Sequence, residues 1–192
     1  MKRFLTVGLA ALLVIGLGFV NMGDVGGATL STRVVVDLSG TLSGTTGIAT
    51  PVAKLTAPRT MDFVNGVAAG QADSIYVSTA SITTAATLTL DVKGALLDPL
   101  GAAFTPAKLK LVYIYSQPAN TTTLTLFGDV NHVPILNTVA TTSTLLPGGM
   151  FLLVQPPLAG ITVTAATGDI IKIVNAAGAT AVVDIVLVGT SS

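Results

Sequence analysis

The sequence predicts an all-β protein, a single β-sandwich of jelly-roll type with an apolar helix at its N-terminus, and three observations predict it. From Arg33 onward, short runs rich in Val, Ile, Leu and Thr are separated by Gly, Pro, Asn and Asp, the pattern of many short strands. Several runs alternate apolar and polar residues with the period of two that a half-buried strand imposes. All nine acidic residues are Asp, so a good helix former is missing and one that favours caps and turns takes its place.

Taken in order, the chain opens with Lys2 and Arg3, followed by the uncharged run from Phe4 to Val20 and the small residues Gly26, Gly27 and Ala28. A helix over that run would be about 25 Å long, slightly short of a hydrocarbon core of roughly 30 Å. Two readings of residues 1–28 stand side by side: a signal peptide removed after Ala28, or a retained transmembrane anchor. Residues 29–58 read as an extended arm, because 39–58 is rich in Gly, Thr and Pro and weak in strand content. Residues 59–192 form the sandwich domain. Candidate strands lie at 33–38, 60–64, 74–79, 86–92, 108–115, 121–127, 150–154, 161–164, 170–174 and 181–188. In 87–92, Leu88, Leu90 and Val92 take one face and Thr87, Thr89 and Asp91 the other; Leu124 and Leu126 alternate with Thr123 and Thr125 in the same way. The runs at 108–115 and 181–188 become apolar on both faces, as strands at the centre of a sandwich do. Turns every eight to twelve residues or so, with no helical period and no short repeat, fit the sandwich and argue against a solenoid.

Composition narrows the function. Apolar residues make up 51% of the chain and charged residues 9%, against roughly 25% charged in ordinary soluble domains. Such an exterior suits burial in an assembly, contact with lipid, or a surface solvated by hydroxyls and backbone. Net charge is zero and no basic cluster follows Lys2-Arg3, so direct nucleic-acid binding is not expected. Without Cys there is no disulfide framework, thiolate nucleophile or Cys-based zinc site. The single histidine, His132, sits in the turn-like 129–134 segment, where the Asp129 carboxylate is within reach of its ring; it reads as a loop residue, since a site needs more converging groups. No Gly-x-Ser-x-Gly elbow occurs. Asp62, Asp73, Asp91, Asp98, Asp129, Asp169 and Asp184 read as turn or solvent residues rather than a catalytic pair, with Asp73 and Asp169 bonding backbone N–H groups in tight connections. The turn at 147–149 lacks the helix and Lys of a phosphate cradle, and the Asn120-Thr121-Thr122 sequon is incidental. Tyr113, Tyr115 and Phe127 read as core or interface anchors. No catalytic, cofactor-binding or metal-binding residue is assigned, and no enzyme activity or cofactor is expected.

Over about residues 65–189 the sequence resembles a group of small bacteriophage virion proteins encoded among head genes. The resemblance is carried by 65–76 (Asn65-Gly66-Val67-Ala68-Ala69-Gly70-Gln71-Ala72-Asp73-Ser74-Ile75-Tyr76), by 88–92 with 97–102, by Pro147-Gly148-Gly149-Met150-Phe151-Leu152-Leu153, by 163–175, and by the closing Asp184-Ile185-Val186-Leu187-Val188-Gly189. It implies a virion structural protein, capsid or capsid-associated, whose partners are copies of itself and other capsid proteins. The basic-then-apolar N-terminus departs from that group; a membrane-facing virion component, touching an internal viral membrane through Phe4 to Val20, would account for it. The alternative is an exported bacterial surface or filament subunit assembled by strand exchange, with 39–58 as the donated segment. A carbohydrate-binding module is disfavoured by the lack of Trp and an aromatic content of 5%.

Overall fold

Each run that alternates in the sequence is a strand in the computed structural model, which describes residues 8–17, 29–43, 52–94, 96–136, 141–155 and 159–192. Among the described residues the strands are β1 (Gly8–Leu17), β2 (Thr32–Ser43), β3 (Val52–Asn65), β4 (Gln71–Ala72), β5 (Ser74–Ile82), β6 (Thr87–Asp91), β7 (Lys108–Ser116), β8 (Leu124–Phe127), β9 (Thr142–Leu145), β10 (Met150–Val154), β11 (Ile161–Thr162), β12 (Ile170–Asn175) and β13 (Ala181–Thr190). They belong to two units, one built on β1, β2 and β3 as far as Phe63, the other on Val64–Ser192.

In the first unit β2 and β3 pair antiparallel without interruption from Thr32↔Phe63 to Ser43↔Val52. Directly opposed residues share a face of an antiparallel ladder. Thr32, Val34, Val36, Leu38, Leu55, Ala57, Arg59, Met61 and Phe63 therefore line one side, and Arg33, Val35, Asp37, Ser39, Thr56, Pro58, Thr60 and Asp62 the other, where Arg33 Nε donates to Asp62 Oδ1 at 2.7 Å. Two expectations are corrected here. The stretch 39–58 is not weak in strand content: its described residues belong to β2 and β3, because the partner strand supplies the hydrogen bonds that its Gly and Thr residues need, and Pro58 sits on β3, whose far side among the described residues is paired only at Val64 and Asn65. Nor is Gly8–Leu17 helical; it is β1, antiparallel to β2 from Gly8↔Thr41 to Leu17↔Thr32. An apolar run without polar punctuation carries no period to separate helix from strand, and Gly8, Gly16 and the β-branched Val14 and Ile15 lower its helix propensity. The remaining residues of the expected helix, 4–7 and 18–20, lie outside the described residues, as does most of the signal-or-anchor segment 1–28. Among the described residues no helix is long and apolar enough to cross a membrane, which says nothing of spanning by strands.

The second unit is two antiparallel sheets on one core. Their orders are β10-β7-β13-β5 and β6-β12-β8-β9, with β11 also pairing β7. The pairings nest: β5 with β13, β6 with β12, β7 with β10, β8 with β9, each antiparallel. Both sheets bury their inward residues in a shared cluster: Val112, Ile114, Val183, Ile185 and Leu187 from the first, Leu90, Leu124, Leu126, Ile171 and Ile173 from the second. The register of β13 against β7 slips between Val188 and Gly189. A Cβ on Gly189 would lie 2.6 Å from the Lys108 carbonyl oxygen, so this bulge needs glycine. At the end of β8, Phe127 takes φ 71°, a strained conformation for a residue with a side chain. Its ring is held by burial against Phe151, with centroids 5.2 Å apart and edge on face.

Candidate functional site: the outer faces of the sandwich

The residues singled out by chemistry do not converge. His132 meets backbone rather than a carboxylate: Nδ1 lies 2.7 Å from the Asp129 carbonyl oxygen and Nε2 3.2 Å from that of Leu136. The Asp129 side chain is turned elsewhere, accepting from the Asn131 N–H at 2.9 Å and lying 4.0 Å from Lys172 Nζ. The reach of carboxylate to imidazole suggested by the sequence is thus corrected; the turn that brings the residues together presents Asp129 through its main chain. Asp169 works locally, its Oδ2 accepting from the Ala166 N–H at 2.6 Å. Asp73 does not. It accepts from the N–H and hydroxyl of Ser191, 118 residues away, and so ties the start of β5 to the end of β13. Asp98 accepts from the N–H groups of Leu100 and Ala102, and Asp91 from that of Lys93, as turn residues do. Among the described residues no three side chains of the metal-ligating types come together.

Asn120, which heads the sequon, is 7% exposed. Its Nδ2 donates to Ser116 Oγ and the Val182 carbonyl, and its Oδ1 accepts from the Val182 N–H at 2.7 Å. Both ends of the amide are committed to holding β7 against β13.

What the structure does assemble is a pair of unlike outer faces, and each follows from strand register. On the β10-β7-β13-β5 sheet, three rows of outward side chains cross four strands: Met150, Tyr115, Asp184 and Thr79; then Leu152, Tyr113, Val186 and Val77; then Val154, Leu111, Val188 and Ile75. The third row is mostly buried, with Leu111 at 1% and Val188 at 0% exposure. Part of its cover is the loop before β5: β4 lies against β13, and Lys110 Nζ donates to the Ala68 carbonyl at 3.3 Å. Burial, with Lys108 nearby, lowers the Lys110 pKa. The other two rows are open. Met150 is 43% and Val77 39% exposed, and Leu152, Tyr113 and Tyr115 are half-buried. The rings of Tyr113 and Tyr115 stack, 14° apart in plane with centroids at 6.3 Å. Desolvation, then Tyr115 and Asp184, raise the Tyr113 pKa. The one charge in these rows, Asp184, is held by Thr79 Oγ at 2.6 Å and by Gln117 Nε2 at 3.2 Å.

The outer face of the other sheet is hydroxyl-rich. Thr87 and Thr89 on β6, Lys172 and Val174 on β12, Thr125 on β8 and Thr142 and Thr144 on β9 lie side by side in the pairings Lys172↔Thr89, Val174↔Thr87, Val174↔Thr125 and Thr125↔Thr144. Thr87, Thr89, Thr142 and Thr144 are exposed. Threonine solvates such a face without charge and keeps the β-branched shape that suits a strand. One face of the sandwich is therefore rich in hydroxyls and the other carries open apolar and aromatic side chains. Comparison with known proteins adds no name to this arrangement: no family model, curated relative or solved structure matches the chain.

Proposed function

We propose that this chain is a virion structural protein of a bacteriophage, a capsid or capsid-associated subunit with a jelly-roll sandwich, which acts by packing against copies of itself and other capsid proteins. The observation that carries the reading is the nested pairing of β5 with β13, β6 with β12, β7 with β10 and β8 with β9. A long hairpin rolled over a core gives such nesting, and it supports the jelly-roll assignment; jelly rolls recur in viral shells. A fold alone names no function, and the unlike outer faces supply the second support. An open apolar and aromatic patch on one side, on a chain only 9% charged, is the composition of a surface that is covered in use. The role needs no convergent chemistry, only area and symmetry.

The test is the protein inventory of purified virions from the phage whose genome encodes the chain. Peptides of 59–192 at a copy number comparable with other shell proteins are expected; particles without them would remove the proposal. A second reading, an exported surface or filament subunit assembled by strand exchange, draws on the same sandwich and on the basic-then-apolar N-terminus. It predicts that the chain isolated from its native assembly has lost about its first 28 residues, read by intact mass.

A further inference from the structure

The two sheets of the sandwich unit end in β10, β5, β6 and β9, and three of these edges are short, four or five residues each. β5 is different. It runs for nine residues, Ser74–Ile82, and contains no charge and no Pro. Its register with β13 is unbroken from Ala181↔Ile82 to Gly189↔Ser74. Long, regular, uncharged edges are templates for another strand, and proteins normally blunt them with charge, proline, a bulge or brevity.

Which groups of β5 face outward follows from its neighbour. The Val182 N–H bonds Asn120 and the Val182 carbonyl accepts from Gln117, so the main-chain groups of even-numbered β13 residues in this stretch point toward β7. Those of Val183, Ile185 and Leu187 then point toward β5, where they meet Ala80, Ser78 and Tyr76. The N–H and C=O groups of Ile75, Val77, Thr79 and Ser81 are left on the open side, and among the described residues none of them bonds outside β13.

We propose that β5 is the strand through which two copies of this chain pair, antiparallel about a twofold axis at Ser78, joining two five-stranded sheets into one of ten. This rests on the reading of the chain as an assembling subunit. A twofold axis at Ser78 sets Val77 opposite Thr79 of the second copy and Ile75 opposite Ser81, which makes about eight new main-chain hydrogen bonds, two for each pair of outward-pointing residues. Displacing the axis to Val77 or Thr79 uses fewer of the four. The same register sets large residues against small ones, Ile75 on Ser81 and Tyr76 on Ala80. With no charge on β5, two copies bring no like charges into opposition. It also continues the open row of Leu152, Tyr113, Val186 and Val77 across the axis into the second copy's other open row, Thr79, Asp184, Tyr115 and Met150. A second copy is therefore the occupant that this edge matches, whereas another protein, or a segment donated from elsewhere in the chain, would have to meet it without that self-complementarity.

Two variants of the full chain test it. Val77→Pro removes an outward N–H and no bond to β13, a substitution an edge strand accepts. It is expected to sediment at half the mass of the parent protein at equal concentration while keeping its circular dichroism. The chain has no Cys, so Ser78→Cys introduces one thiol, placed on the axis in a non-hydrogen-bonded pair whose Cβ atoms come about 4.5–5.5 Å apart, near enough to close a disulfide with slight adjustment. Mild oxidation should give a covalent dimer from Ser78→Cys and not from Ser81→Cys, whose thiol would face Ile75 of the second copy. A parent protein that sediments as one copy at every concentration, a Val77→Pro protein with undiminished mass, or cross-linking of Ser81→Cys in place of Ser78→Cys would each overturn the pairing. If Val77→Pro fails to fold, the cysteine pair decides alone. Assembly that persists in Val77→Pro would overturn this inference and leave the structural-subunit reading standing. Virions that lack the chain would end that reading, while the cross-link would still report on β5.

Discussion

The side-chain amide of Asn175 donates to the carbonyls of Ile82, Thr83 and Ala179 at 2.8 to 3.1 Å, and its oxygen accepts from the Thr122 hydroxyl at 2.7 Å. One buried residue thus joins the end of β12 to the end of β5, to the turn before β13 and to the segment before β8. Replacing it with Ala leaves several buried polar atoms without a partner, and each such atom costs about 1–3 kcal/mol. Asn175→Ala is expected to lower stability by about 2–4 kcal/mol, measured as an earlier midpoint in urea at unchanged slope. Tyr113 makes a different kind of prediction. Its pKa is raised by desolvation and by Tyr115 and Asp184, so the folded protein favours the neutral phenol. Its contribution to stability is therefore complete below the unfolded pKa of about 10. That contribution is lost as pH climbs through the higher folded value. Phenolate absorbance should show Tyr113 titrating late in the folded chain, and Tyr113→Phe should remove that component along with part of the alkaline loss of stability.

At the scale of elements, what the sequence discloses and what it hides divide according to range. Strands such as Thr87–Asp91 and Leu124–Phe127 are legible because alternation is local: each residue's face is fixed by its own neighbours. The two-sided apolar character of Lys108–Ser116 and Ala181–Thr190 is legible too, and both prove to be central strands. Register is not local. Nothing in the run around Tyr113 indicates that Leu152 and Val186 flank it, so the open apolar rows emerge only when β10, β7, β13 and β5 are aligned. Short strands escape for a related reason: Thr142–Leu145 has four residues, three of them hydroxyl-bearing, and is a strand because β8 pairs with it. The long β2–β3 ladder was hidden by composition, since Gly, Thr and Pro argue for a loose arm until a partner strand takes up their hydrogen bonds. Asp73 shows the same limit at a single residue, for its partner Ser191 is remote in sequence.

For the whole molecule, the property on which the proposed role turns is the difference between the outer faces of the sandwich, because a subunit that covered one face and wetted the other would have a defined orientation in its assembly. The same charge placed on each face should act differently. Leu152 lies in the open apolar row beside Tyr113, half-buried; Thr89 lies beside Lys172 on the hydroxyl face, exposed. Both side chains point away from the shared core, so Leu152→Asp and Thr89→Asp should each fold, with unfolding midpoints near that of the parent. Their effects on assembly should differ. A carboxylate at 152 would have to be desolvated against an apolar partner surface with no cation beside it, a cost of several kcal/mol in an interface. Incorporation into particles, or self-association of the purified chain, should fall at least about tenfold, which corresponds to only about 1.4 kcal/mol. At position 89 the new carboxylate stays in water near Lys172, where an exposed ion pair is worth about 0–1 kcal/mol, and assembly should stay within about a factor of two. The reverse ranking would assign contact to the threonine face. Equal, small effects would mean that neither face is covered in the assembly, and the burden of association would fall on the strand edges alone.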